Sequence, residues 1–233
     1  MAYDDSRHRL VLFGGLTRDA YVGDTWEWDG TEWTQVADIG PPARSDCTLA
    51  CDTVRQRVVL FGGYNPAMSP PANFFSDTWE WDGTEWTQIA DTGPPPRQGH
   101  AMVFDSSRER LVLFGGWWQE SAQSAVWLSD TWEWDEDAGW VKRQDMGPRS
   151  MYQPRMVNTE AHTVLFGYPE GTSGAGLTWE LNDNLWTQRQ NMGPPRRWGH
   201  NLAYDSQRDR VVLFGGWGAG ALGDTWELAI IEQ

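Results

Sequence analysis

Short apolar runs that close on glycine recur along this chain. LVLFGG at 10–15 returns as VVLFGG at 58–63, LVLFGG at 111–116, TVLFGY at 163–168 and VVLFGG at 211–216. Each is followed, after a polar loop, by a segment alternating aromatic and acidic residues: TWEW at 25–28, 78–81 and 131–134, then TWEL at 178–181 and 225–228. Alternation with period two predicts a strand with one buried tryptophan face. The marker phenylalanines Phe13, Phe61, Phe114, Phe166 and Phe214 stand 48, 53, 52 and 48 residues apart. Five copies at a period near 50 predict a ring or stack of small sheets.

The third copy reads most clearly. Residues 97–104 predict a first strand, Asp105–Arg108 a tight turn capped by the aspartate, and Arg110–Phe114 a second strand closed by Gly115-Gly116. The glycine pair predicts positive φ, or a backbone packed too close for a side chain, most simply against a neighbouring tryptophan. After a longer loop, 130–135 predicts the third strand and 139–144 the fourth. Copies one and two place Asp29-Gly30 and Asp82-Gly83 between strands three and four, a strong hairpin signal. A four-stranded antiparallel blade cannot bury both faces alone, so blades must stack around an axis.

The repeats run approximately 1–43, 44–96, 97–148, 149–195 and 196–233, without a linker, which predicts a single domain over 1–233. Copy one lacks the beginning of its first strand. Copy four is degenerate: Gly167-Tyr168 replaces the glycine pair, and Leu177 stands where the others carry Asp. Copy five has no equivalent of Trp33, Trp86, Trp140 or Trp186. The expected architecture is an all-β propeller with incomplete terminal blades, closing as a five-bladed ring or, alternatively, forming a piece of a larger one.

Composition narrows the function. A formal charge of −15 disfavours nucleic acid and anionic membrane surfaces as partners, because phosphate contacts need clustered Lys and Arg. No apolar run reaches transmembrane length and no signal peptide opens the chain, which favours a cytoplasmic location and leaves the compartment open. Cys47 and Cys51, four apart in an extended segment, lie roughly 13 Å from each other on that geometry, too far for a disulfide. Buried free thiols are the expectation.

The FGG ending, the later DTWEWD and the tryptophan opening strand four resemble the kelch repeat, over essentially the whole chain. The resemblance is to bacterial proteins built from consecutive kelch-type units, similar to the central domain of galactose oxidase. It implies blade-packing roles for Trp33, Trp86, Trp140 and Trp186, and strand-ending roles for the glycine pairs. Kelch propellers more often have six or seven blades, and their functions range from protein recognition to enzymatic sites, so fold does not carry function.

Candidate sites follow from the loops joining strands two and three, which share a face with the crossings between blades. They span 16–24, 64–77, 117–130, 168–177 and 217–223, and the longest carry Tyr64, Phe74 and Phe75, then Trp117, Trp118 and Trp127. With Trp217, these aromatics suit stacking on a sugar or anchoring a peptide, against the plainer role of packing over the next blade. Arg44, Arg97, Arg149 and Arg197, one per first strand, offer guanidinium forks near the axis for carboxylates, or equally serve as structural hardware. Glu27, Glu80, Glu133, Glu180 and Glu227 read as hardware too. His100 and His200 occupy equivalent positions, held by Cys47 and Tyr152 in the other complete copies. No metal motif and no catalytic constellation emerges, and no cofactor is implied.

The leading expectation is a non-catalytic binding scaffold, recognising protein or carbohydrate on that loop face. One rival is a metal-assisted enzyme of lyase, oxidase or sugar isomerase type, with its site at the axial mouth. Another is a structural unit that self-associates through its incomplete terminal blades, although a monomer is favoured.

Overall fold

In the computed structural model, which describes residues 1–68, 73–121, 124–143, 147–171, 174–189 and 193–229, five antiparallel sheets follow one another along the chain. Parts of the loops 64–77 and 168–177, the end of the strand expected at 139–144 and the last four residues of copy five lie outside the described residues.

Blade one comprises β1 (Ala2–Asp4), β2 (Arg9–Leu16), β3 (Tyr21–Trp28) and β4 (Trp33–Ala37). Blade two holds β5 (Thr48–Asp52), β6 (Arg57–Phe61), β7 (Thr78–Trp81) and β8 (Trp86–Ala90). Blade three holds β9 (Ala101–Asp105), β10 (Arg110–Phe114), β13 (Thr131–Asp135) and β14 (Gly139–Lys142), with an added hairpin of β11 (Trp117–Ser121) and β12 (Ser124–Trp127) in its long loop. Blade four comprises β15 (Met151–Asn158), β16 (Thr163–Pro169), β17 (Leu177–Asn182) and β18 (Leu185–Gln188). Among the described residues blade five has three strands, β19 (Asn201–Asp205), β20 (Arg210–Phe214) and β21 (Thr225–Ala229). The fold is thus an all-β, five-bladed propeller with one incomplete blade. Blade one has all four strands, its innermost cut to three residues.

The turns behave as their sequences require. Asp105 Oδ1 accepts the backbone N–H groups of Ser107 and Arg108, while Arg108 Nε donates to Asp105 Oδ2 and its Nη1 to Glu133 Oε1. Asp4/Arg7/Glu27 and Asp205/Arg208/Glu227 repeat this clasp, tying the first turn to the third strand. The recurring glutamates are therefore hardware. In blade four, Thr159 and His162 replace the Asp and Arg, and His162 meets Glu180 at 3.1 Å. Both cysteines are free, and burial pushes the Cys51 thiol up to about 11.

The fourth-strand tryptophans lock each blade to the one before. Trp86 Nε1 donates to Thr25 Oγ1, Trp140 to Thr78 and Trp186 to Thr131, all at 2.8–2.9 Å. Each indole also meets the phenylalanine ending the neighbouring second strand: Phe13–Trp86, Phe61–Trp140 and Phe114–Trp186 lie 5.4–5.7 Å apart, edge to face. Large aromatic area and a satisfied N–H sit at one point, which is why tryptophan serves there and leucine would not. Both cores on either side of blade three are closed this way.

The glycine pairs have positive φ as expected, but the reason for close approach differs. A Cβ on Gly14 would meet the Arg44 carbonyl oxygen at 2.7 Å, and one on Gly62 the Arg97 carbonyl at 2.8 Å. The neighbour is the backbone of the next blade's first strand, joined by Gly15 N–H to Arg44 O and Gly63 N–H to Arg97 O at 2.9 Å. Clearance for the tryptophans comes from a different set: a Cβ on Gly40, Gly93 or Gly147 would lie 2.6–2.7 Å from Trp86, Trp140 or Trp186.

In the last and first blades, the corresponding Phe214 and Trp33 are less covered. Phe214 is 57% exposed and Trp33 41% exposed, whereas Phe61 and Phe114 are fully buried.

Candidate interaction face

The recurring arginines are not free to meet a ligand. Arg44, Arg97 and Arg197 are fully buried, each forming a two-pronged pair with an aspartate of its own blade: Asp77, Asp130 and Asp224, at 2.5–2.9 Å. Each also donates to a carbonyl of the glycine pair, Gly62, Gly115 or Gly215. Burial alone would raise the Asp130 carboxyl, but the Arg97 guanidinium overrides it and holds it below the usual carboxylate range. Tryptophan Nε1 of Trp79, Trp132 and Trp226 completes each carboxylate. Such forks are occupied structural groups.

Arg149 is not the fourth member of that set. Pro169 stands three residues after Phe166, as Trp117 does after Phe114 and Trp217 after Phe214, and it pairs with Met151, so Met151 stands where Gln98 and Trp198 do, one residue past the buried arginine of the other blades. Met151 is fully buried beside Leu177, which replaces the aspartate, while Arg149 is exposed. Blade four thus substitutes an apolar pair for an ion pair. A bulge between Tyr152 and Arg155, with Gln153 at φ 43°, also moves Pro154 into the position of His100 and His200, where Tyr152 was expected.

His100 and His200 are buried in separate junctions, edge-on to Phe61 and Phe166 at 5.5 and 5.1 Å. Burial, then the nearby Arg97 cation, pushes His100 down to about 3; burial, then Arg155 and Arg197, pushes His200 down to about 4. They are neutral packing groups at neutral pH. Among the described residues no three His, Cys, Asp or Glu side chains stand together as a metal-holding group.

The aromatics of the loop face do assemble. Tyr64 stacks on Phe74 (ring centroids 4.7 Å apart), Phe74 meets Trp117 (5.8 Å), Trp117 meets Trp127 (5.7 Å), and Trp127 meets Tyr152 (5.5 Å). Tyr152 continues to Tyr168 at 5.8 Å and to Trp198 at 6.0 Å, and Trp198 pairs through its backbone with Trp217. The result is a continuous arc over blades two to five. Its members differ in role. Phe74 is only 5% exposed and forms a floor, Trp127 and Tyr152 are half-buried, and Trp217 is 50% exposed. Two expected contacts fall outside the arc. Phe75 is buried beneath the Arg44 guanidinium, 3.7 Å from its ring centre, and Trp118 follows Trp117 on a strand, so it projects to the hairpin's other face.

Tyr152, Tyr168 and Trp198 were missed as candidates because they come from blades without a long aromatic loop. Their signal was positional: Tyr152 and Trp198 each sit one residue after the buried Met151 or Arg197.

Inside the arc lies the axial mouth, a cavity of about 280 Å³ bordered by Asp46, Gly99, Gln153, Arg155 and Asn201. Arg155 occupies the inner-strand position held by Ala101 in blade three. Its Nη1 donates to Pro154 O, and among the described residues it forms no ion pair. Burial lowers its pKa, only partly offset by Asp46. A desolvated guanidinium without a carboxylate partner is poised for an incoming anion.

Propeller, repeat clasp and tryptophan lock together define a kelch-repeat protein, and family comparison agrees. The model of the KLHDC2/KLHL20/DRC7 Kelch-repeats domain matches residues 1–167 and 54–233, so the chain belongs to the kelch family. It is similar to Kelch domain-containing protein 2 of Bos taurus, 25% identical over 89% of this chain and 58% of that protein. It is 27% identical to putative adagio-like protein 2 of Oryza sativa subsp. japonica, over 89% of this chain and 33% of the relative. It is 24% identical to the dynein alpha chain of the flagellar outer arm of Chlamydomonas reinhardtii, over 99% of this chain and 6% of that protein. The chain thus spans from a small fraction to just over half of these relatives' lengths. Family and fold support a protein-interaction scaffold.

Proposed function

We propose that the chain binds an extended segment of a partner protein across the arc from Tyr64 to Trp198, without chemical turnover. The observation that carries this reading is the unbroken series of ring contacts, assembled from four blades, around a mouth containing Arg155. Rigid aromatics give contact area at low entropic cost, and one desolvated cation gives polarity and orientation. The fit is to a segment with apolar or aromatic anchors on the arc and an acidic group reaching Arg155.

The test is selection of displayed random dodecapeptides on the protein, followed by binding to a Trp127→Ala/Tyr152→Ala variant. Enriched peptides rich in aromatic and acidic residues should lose at least tenfold affinity for the variant, on the hot-spot scale of a lost anchor. Arg155→Gln should weaken the acidic peptides alone. Peptides that bind wild type and both variants equally would overturn the reading. The same rings suit sugar stacking, so a glycan array probed in parallel separates the carbohydrate reading from the peptide one.

A further inference from the structure

The axial channel has a second mouth, on the face of the first turns and opposite the aromatic arc. It holds a cavity of about 560 Å³, a volume typical of small-molecule sites. All five inner strands contribute to it at one equivalent position, through Tyr3, Cys51, Phe104, Val157 and Tyr204. Leu49, Met102 and Met156 border both this cavity and the one beside Arg155, so they form an apolar floor that separates the two.

The chemistry around that floor is one-sided. Thr53, Ser106 and Ser206 line the cavity with small hydroxyl groups. No Lys, Arg or His borders it, and among the described residues Glu160, exposed on the rim, is the one charged group that does. The two tyrosines are held by equivalent contacts with the residue five places on. Tyr3 OH meets His8 Nδ1 at 3.2 Å, and Tyr204 OH donates to Asp209 Oδ1 at 2.9 Å. His8 and Asp209 share a positive φ, 52° and 50°, which brings each back toward its tyrosine. With the hydroxyl engaged at the turn, what each tyrosine offers a ligand is its ring. Asp209 and, after it, the Glu160 charge push the Tyr204 phenol up, so a rim carboxylate stands near that ring.

Aromatic faces attract cations, most strongly where water is excluded. An anion here would meet Glu160 with no compensating positive group, and the field of a chain at −15 concentrates cations at its clefts. We infer that this second mouth binds a small organic cation, an amine or quaternary ammonium carrying an apolar body. The ammonium rests at Tyr204 and Tyr3 beside Glu160, while the apolar body descends onto Leu49, Met102 and Met156. The site is independent of the aromatic arc, which lies beyond that floor.

The experiment titrates the intact protein, at physiological ionic strength, with three probes: choline, its uncharged carbon isostere neohexanol, and choline with one methyl replaced by benzyl. Binding is followed through the Met102 and Met156 methyl resonances. Both cations should shift these signals saturably, with the neutral alcohol roughly tenfold weaker than choline. The benzyl compound should bind roughly tenfold tighter than choline, because its ring reaches the methionines. Glu160→Gln and Tyr3→Leu, both at exposed positions, should each weaken the cations roughly three- to tenfold with the melting transition unchanged. Tyr204→Phe keeps the ring and should retain most of the binding. Equal binding of choline and neohexanol, or no saturable methyl shift at millimolar cation, overturns the inference. Cation binding indifferent to Glu160→Gln also overturns it, leaving only diffuse attraction to an acidic surface. A neutral monosaccharide that shifts the same methyls at lower concentration than either cation would make this a sugar site instead.

Discussion

The junction between blades two and three and the junction between blades four and five are built from the same parts, except for one side chain. In the first, Trp140 fills the space between Phe61 and Thr78, and Phe61 is fully buried. In the second, Phe166 and Thr178 border an open cavity and meet no fourth-strand indole. One tryptophan joins the two blades at each filled junction, and among the described residues blade five keeps the same strand pairing without one.

The largest effect is expected from making the filled junction resemble the empty one. Trp140→Ala removes a buried indole and should cost about 3–5 kcal/mol in denaturant unfolding. Trp33→Ala, at the 41% exposed equivalent on the outer seam, should cost far less, under about 1 kcal/mol. Equal losses at the two sites would break the comparison.

A similar loss is expected from Arg97→Met, which strands the buried Asp130 carboxylate at a cost of about 3–5 kcal/mol. Adding Asp130→Leu replaces the ion pair by an apolar pair, as blade four does with Met151 and Leu177, and should restore stability to within about 1–2 kcal/mol of wild type. If the double variant is no more stable than the single one, the apolar replacement in blade four depends on more than those two residues.

A smaller effect follows from pH. His100 and His200 are held neutral in the fold, at about 3 and about 4, below the ordinary histidine value near 6.5. As pH falls below about 6.5 the unfolded chain takes up protons that the folded chain refuses, so stability present above that pH is lost toward pH 4. Between pH 7 and 5 the loss should be on the order of 2 kcal/mol per histidine. His100→Asn should remove about half of the combined slope, measured by urea unfolding across that range. The smallest change is expected from Phe214→Ser on the exposed seam, within about 0.5 kcal/mol.

Much of this architecture was legible from spacing alone. The recurring order of FGG and TWEW, and the tryptophan opening strand four, located strands and inter-blade packing residues because each repeat must solve the same burial problem. Register was less legible where the chain departs from the repeat. The bulge at Gln153 shifts the register so that Met151 stands opposite Pro169, where Gln98 and Trp198 stand in other blades, and only strand pairing reveals it. The aromatic arc was half visible: Tyr64, Trp117 and Trp127 declared themselves in long loops. Tyr152, Tyr168 and Trp198 become neighbours only when blades from distant stretches are placed side by side. The glycines of the GPP and GPR crossings, at Gly40, Gly93, Gly147 and Gly193, recur in plain sequence. Their meaning needed the indoles they clear.

The most direct measurement is amide hydrogen exchange on the free protein, comparing β13 with β21. These strands hold the same place in their blades, but only β13 has a fourth strand and, across the neighbouring junction, a tryptophan lock. Exchange in β21 should proceed by local opening, at least a hundredfold faster than in β13 and independent of global stability. Matched protection in the two strands would contradict the claim that the tryptophan-bearing fourth strand secures each blade.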